Sequence, residues 1–170
     1  MWRRMGQSDI PALVAISDAV HGRFSERAHI YAERLALYPA GCFMHQQGPD
    51  VTGYLISHPW RRLSPVPLDR PVGLLPRDPD SYYLHDLALS PGSRGSGAGT
   101  KAVGLVLECA ADAKLDEISL VAVNGADSFW ERCGFNRIDD PALASKLASY
   151  GSGAYYMVRL LNGQAAGREA

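Results

Sequence analysis

A mixed α/β (α+β) fold is predicted by three observations: an extended apolar stretch at Ser81 to Leu89, helical spacing of apolar residues from Thr100 to Lys114, and a glycine-rich segment, Gly92 to Gly99, between them. The order strand, glycine loop, helix is the central signal. The remaining elements extend it on both sides without an internal repeat.

Trp2 to Met5 reads as a short first strand. Ser8 is placed to cap a helix carrying Ile10, Leu13, Val14 and Ser17 on one face, with Pro11 in its first turn. Ser25 to Leu37 repeats the pattern, with Ser25 as cap and Ile30, Leu35 and Leu37 on the apolar face, and it ends before Pro39. Gly41 to Gln46 and Val51 to Ser57 are β-rich and separated by the turn sequence Gly48-Pro49-Asp50, which makes them a hairpin and an antiparallel start to the sheet. Prolines at 59, 65, 67, 71, 76 and 79 predict an irregular excursion from Pro59 to Pro79. After the glycine loop and its helix come a strand at Glu117 to Val123, a short helix at Ala126 to Arg132, a strand start at Phe135 to Ile138 and a last strand at Ala154 to Leu161.

The 170 residues fit one domain, 1–170, with a loose tail at 163–170. A net charge of -1 gives no field to hold a polyanion, and the pairs Arg3-Arg4 and Arg61-Arg62 are too short for a nucleic-acid stripe, so no nucleic-acid partner is expected. The three cysteines, Cys42, Cys109 and Cys133, have neither Cys-x-x-Cys spacing nor an even count, which suits free thiols in a reducing compartment. No apolar run of about 18 residues and no secretion signal occur, so a cytoplasmic protein without a membrane partner is expected. His21, His29, His45 and His58 lack ligand-like spacing, and no metal is assigned.

The segment Ser90-Pro-Gly-Ser-Arg-Gly-Ser-Gly-Ala-Gly-Thr100 lets the backbone turn sharply and approach a ligand at the start of a helix whose free N–H groups point outward. The helix dipole, Arg94 and Lys101 add positive potential, and no acidic side chain enters the helix before Glu108. Phosphate is the expected ligand. A P-loop is disfavoured because Thr100 precedes Lys101, and the dinucleotide pattern is met only weakly by Gly97-x-Gly99-x-x-Ala102.

Arg94-Gly95-Ser96-Gly97-Ala98-Gly99 resembles the cofactor motif Arg/Gln-x-x-Gly-x-Gly/Ala of the Gcn5-related N-acetyltransferase (GNAT) family. Leu87-Ala88-Leu89-Ser90-Pro91 before it resembles the ending of that family's fourth strand, and Asn124 to Phe135, containing Phe129-Trp130 and Gly134-Phe135, resembles its second motif. The resemblance is close over 82–135, the expected cofactor-binding core. It implies a twisted, mixed, mainly antiparallel sheet flanked by helices, with acetyl-CoA as co-substrate and transfer to a primary amine of a small molecule or a protein.

On that resemblance Leu87, Ala88 and Leu89 offer backbone to pantetheine, Gly95 to Thr100 take the pyrophosphate beside Arg94, Asn124 and Ser128 lie near the far arm, and Trp130 is counted among the cofactor-binding residues. The amine must be deprotonated, and strand Tyr82 to Leu87 offers His85 and Asp86, which strict alternation sends to opposite faces. His85 is preferred as base: its position, two residues before the Leu-Ala-Leu ending, resembles that of a base histidine in some members, whereas others use water. The chain departs from the family where Trp130 replaces the tyrosine that often protonates the departing thiolate, which leaves Tyr155 or Tyr156 as alternative acids. Cys133 is read as a buried thiol and not as a nucleophile.

The acceptor groove is expected between the two early helices, the proline-rich excursion and the loop before the last strand. Asp18, Glu26, Asp69, Asp78 and Asp80 are candidates to attract an amine, and Arg23, Arg27, Arg61 and Arg62 to grip a carboxylate, although most read as surface charges. Alternative readings are a non-catalytic acyl-CoA-binding or regulatory module, motivated by Trp130, and a dinucleotide-dependent oxidoreductase. The assembly is read as a monomer or a homodimer.

Overall fold

The computed structural model describes residues 1–162, and the tail expected at 163–170 lies outside them. The chain enters on a sheet edge, where β1 (Trp2–Arg4) pairs antiparallel with β2 (Cys42–Gln47). Between these strands lie α1 (Ile10–His21) and α2 (Ala28–Leu37). Pro11 sits in the first turn of α1, where a missing N–H costs nothing. Neither expected cap is used. Ser8 lies inside a 3-10 turn, where the Gly6 N–H donates to the Asp9 carboxylate at 2.8 Å, and Ser25 Oγ donates to Asp18 at 2.5 Å while α2 begins at Ala28.

β2 turns into β3 (Asp50–Trp60), and β3 pairs antiparallel with β4 (Ser81–Leu89). Pro59 is inside β3 instead of ending it. The β2 ladder stops at Cys42 opposite Ile56, so β3 has lost that neighbour by the time it reaches the proline, and a missing N–H is tolerated there. From β4 the chain crosses through α3 (Ala98–Asp112) to β5 (Glu117–Ala122), which runs parallel to β4. It continues through α4 (Asp127–Arg132), β6 (Asn136–Arg137) and a short α5 (Leu143–Lys146), and β7 (Tyr155–Leu160) then inserts between β5 and β6. The sheet order is β1-β2-β3-β4-β5-β7-β6, antiparallel except at β4–β5.

Each face of the sheet carries its own core. Phe43, Leu55, Tyr82, Leu84 and Leu120 pack with Val103, Val106 and Ala110 of α3 and with Trp130 and Phe135. On the other face Met44, Tyr54, Ile56 and Ala88 pack with Leu13 and Ile16 of α1 and Tyr31 and Leu35 of α2. Among the described residues no helix is long and apolar enough to cross a membrane.

The excursion between β3 and β4 is held by polar anchors and not by a ladder. The Val72 N–H donates to Glu33 at 2.9 Å and the Asp69 N–H to Glu26 at 2.7 Å; Arg34, paired with Glu33, reaches the Arg70 carbonyl at 2.9 Å; and Arg27 pairs with Asp69 at 2.7 Å. Arg34 is almost fully buried. Removing one partner of a buried ion pair strands the other, so Arg34→Ala is expected to cost about 3 to 5 kcal/mol. For this chain length that lowers Tm by roughly 6 to 20 °C, which calorimetry would register.

Candidate active site

The register of β3 against β4 slips at one point: Ile56 lies opposite Asp86 and Ser57 opposite Leu84, leaving His85 as an extra residue in β4. Such a bulge bends a strand and interrupts its ladder. Pairing of β4 with β5 covers Tyr82–Leu84 against Ile118–Leu120 and ends at the bulge. Beyond it the two strands part around a cleft of about 890 Å³ that runs through the sheet. Its walls come from Phe24, Glu26 and Leu68 on the α1 side and from Gly97, Thr100, Phe129 and Trp130 on the α3 side.

The bulge also cancels the expected alternation. His85 and Asp86 do not face opposite ways: both reach the α1 face, because the inserted residue shifts every later side chain of β4 by one step. His85 Nε2 lies 2.6 Å from Glu26 Oε1, with side chains only 2% and 3% exposed. A carboxylate is acceptor-only, so Nε2 carries the hydrogen and the neutral ring's lone pair is on Nδ1, which is buried without a protein partner. His58 packs beside His85 at 6.2 Å between ring centroids; burial holds it at about 3, so it stays neutral, and its Nδ1–H donates to the Pro59 carbonyl at 2.9 Å.

Asp86 lies 2.8 Å from His21 Nε2 and accepts the Tyr54 hydroxyl at 2.6 Å. Burial alone would push Asp86 up, but the neighbouring His21 charge and hydrogen bond outweigh it and hold the carboxyl below its ordinary range. Burial pushes His21 down and the Asp86 charge outweighs that too, so His21 is raised. Two histidine–carboxylate pairs therefore sit side by side on one wall.

At the other end, Gly95 and Gly97 have φ of 75° and 81°, a left-handed backbone that glycine adopts without a steric cost. Gly97 caps α3, whose first N–H groups have no partner within the helix. Gly99 lies under Phe129: a Cβ there would approach the ring edge at 3.1 Å. Arg94 Nε donates to the Leu89 carbonyl at 3.2 Å. The positive helix end, unpaired donors and a close backbone approach fit a pyrophosphate, and the free edge of β4 at Leu87–Leu89 fits an extended amide-containing arm.

Of the residues expected at the site, His85, Asp86, Leu87, Ala88, Leu89, Arg94, Gly95, Gly97, Gly99, Thr100, Asn124 and Trp130 line the cleft. Ser96, Ala98 and Ser128 are not part of its wall: Ser96 Oγ donates to the Ser93 carbonyl at 2.7 Å, Ala98 is buried, and Ser128 is exposed. Tyr155 is a correction. It starts β7 outside the cleft, 37% exposed, with the Arg137 guanidinium 3.8 Å above its ring. Tyr156 is buried, and its hydroxyl accepts the Leu63 N–H at 3.0 Å. Trp130 is held edge-to-face between Phe129 and Phe135, at 4.9 and 5.5 Å.

Glu26 and His21 were not separable from surface charges by any local pattern, since their partners are far along the chain. Phe24, Leu68 and Tyr150, which also line the cleft, carry no motif either. Among the described residues no group of histidine, cysteine and carboxylate side chains has the arrangement of a metal site.

A mixed, mainly antiparallel sheet flanked by helices and opened between β4 and β5 defines the GNAT class of fold. Residues 12–135 match the model of the acetyltransferase (GNAT) family, and the chain belongs to that family. Among solved structures it is similar to the GphF GNAT-like decarboxylase in complex with isobutyryl-CoA (TM-score 0.76, 13% identity, 95% of this chain and 99% of that one). It is also similar to Ard1 from Thermoplasma volcanium (0.70, 14%, 95% and 97%) and to Rv2747 from Mycobacterium tuberculosis in complex with CoA (0.67, 20%, 95% and 99%). No curated protein matches it in sequence.

Two outcomes are expected. His21's raised value means its stabilisation is complete below about pH 6.5 and fades as pH rises through the folded value; Asp86's depressed value means its share is complete above about pH 3.9 and is lost on acidification. His21→Gln should therefore cost about 3 kcal/mol, or roughly 6 to 12 °C in Tm, near pH 5.5, and measurably less at pH 9. Gly99→Val should weaken CoA binding by at least about tenfold in titration calorimetry, because the added side chain must displace the Phe129 ring.

Proposed function

We propose that the chain is an N-acetyltransferase that moves an acetyl group from acetyl-CoA to a primary amine by direct attack. The observation that carries this reading is the His85–Glu26 pair: a buried imidazole tied through Nε2, with Nδ1 unpartnered on the wall of a cleft that joins both faces of the sheet. A binding module has no need of a base on the face opposite the phosphate loop.

In this reading the N–H groups of Gly95 to Thr100 hold the pyrophosphate with Arg94, and the open edge of β4 orients the pantetheine arm. Acetyl-CoA supplies an activated thioester carbonyl. The acceptor enters from the α1 side as an ammonium with a pKa near ~10.4 and must give up a proton before its nitrogen can attack. His85 Nδ1 takes that proton, and the Glu26 carboxylate holds the ring's orientation and faces the imidazolium that forms. The C–N bond forms as the C–S bond breaks. Trp130 has no proton to offer, and a thiolate with a pKa of about 8.5 leaves with solvent as the proton source. Asp86, neutralised by His21 and occupied by Tyr54, is a poorer base than His85.

The alternative, a non-catalytic acyl-CoA-binding module, is favoured by Trp130 alone. Saturating acetyl-CoA, at about 100 times Kd, should raise Tm by roughly 5 to 11 °C, while a nicotinamide dinucleotide should not. His85→Gln should lower kcat by about 10² to 10⁴ at pH 7 and less at pH 9, where more amine is already neutral. The groups packed around His85 keep fixed protonation states between these pH values: His58 stays neutral, Tyr83 is pushed up by burial, and Asp86 is held ionised against His21. An equal loss at both pH values would remove the base role, and a Tm rise without amine-dependent thiol release would favour the binding module.

A further inference from the structure

The acceptor half of the cleft limits which amines it can take. Its side walls are Val20 and Phe24 from the α1 segment, Leu68 from the proline-rich excursion, and Tyr150. Phe24 and Tyr150 stack with ring centroids 6.5 Å apart and planes 27° from parallel. The Tyr150 hydroxyl is turned away into the Val66 carbonyl at 2.7 Å, so the residue adds ring surface more than polarity. The excursion is anchored at this point: the Leu68 N–H donates to Ser149 Oγ at 2.9 Å, and the Asp69 N–H to Glu26.

The charges on this wall are already used. Asp86 faces His21, and Glu26 holds His85 with one oxygen and the Asp69 N–H with the other. The arginines lining the cleft, Arg94 and Arg132, belong to the glycine loop and to α4. Outside the lining, Arg27 is paired with Asp69 and Arg23 lies 4.4 Å over the Phe24 ring. A carboxylate next to the reacting amine would lose its water with no cation to replace it, and a second ammonium would find apolar walls and carboxylates already hydrogen-bonded. The net negative charge of the Glu26–His85 pair with a neutral ring favours one incoming ammonium.

From this lining, and resting on the transferase reading above, we infer that the acceptor is a primary monoamine on an apolar hydrocarbon group. It excludes α-amino acids, polyamines and peptide N-termini. The position of Leu68, on a loop outside both cores, makes it the residue through which the selectivity can be changed without touching the base or the phosphate loop.

The test is the kcat/KM, by thiol release with saturating acetyl-CoA, for 2-phenylethylamine, phenylalanine, spermidine and a short unblocked peptide, with wild type and Leu68→Arg. The acetyl-CoA-dependent Tm rise of each protein establishes that it is folded and loaded. Phenylethylamine should exceed each of the others by about 100-fold in the wild type, and Leu68→Arg should narrow its lead over phenylalanine by at least about tenfold. Turnover of phenylalanine, spermidine or the peptide equal to or better than phenylethylamine overturns the inference and leaves the transferase reading standing. An unchanged ratio in Leu68→Arg overturns the assignment of these walls. No turnover of any amine by protein that binds acetyl-CoA overturns the transferase reading, and the acceptor assignment falls with it.

Discussion

One extra residue in β4 governs the geometry of everything around it. With His85 inserted opposite the Ile56–Ser57 step, the strand can no longer keep both neighbours: it stays with β3 and leaves β5 after Leu84. The separation exposes backbone of β4 in the middle of a sheet, where unpaired N–H and C=O groups are costly unless something else meets them. It is tolerated because each face retains its own core, with Leu55, Tyr82 and Leu84 anchored under α3 and Tyr54, Ile56 and Ala88 under α1 and α2. The same insertion turns two consecutive polar side chains toward one wall, which an unbroken strand would have divided between the faces.

What meets those side chains is a set of buried ionic contacts and not an apolar filling. Glu26 has one oxygen on His85 and the other on the backbone of the proline-rich excursion, so the base candidate and the acceptor wall are positioned through one carboxylate. Glu33 and Arg34 repeat the device further along the chain, inside α2. Apolar residues of similar volume would often stabilise such positions as well or better, so these charges are better explained by geometry than by stability. An irregular loop has no ladder to define its path, and carboxylates that accept specific backbone N–H groups define it instead.

This is also where the sequence became illegible. The extent of β4, the glycine loop and the helix after it were readable because their signals are local: an extended apolar run, glycines before a helix, and apolar residues at helical spacing. The side of the sheet on which His85 and Asp86 project was not, because it depends on a bulge defined by the register of β3. Glu26 looked like one surface carboxylate among several, since nothing near it hints at a partner in β4. Pro59 looked like a strand terminator until β2 proved to end opposite Ile56, and Tyr155 looked like an available hydroxyl until β7 put it under Arg137. In each case a long-range pairing overrode a sound local expectation.

The departure at Trp130 follows from the same division of labour. An indole there cannot return a proton to a leaving group, but its edge-to-face contacts with Phe129 and Phe135 fix α4 against the sheet, and Phe129 in turn closes over Gly99 at the start of α3. The position shapes the cleft wall beside the start of α3. The tyrosines with buried hydroxyls offer no replacement: burial raises Tyr83 and Tyr150, and Tyr150 is already committed to the Val66 carbonyl. In the proposed reaction the difficult proton is therefore the one leaving the amine, because a thiolate is a tolerable leaving group while an ammonium is no nucleophile at all. In that reading the bulge turns the unpartnered Nδ1 of His85 toward this step, and the departing thiolate takes its proton from solvent.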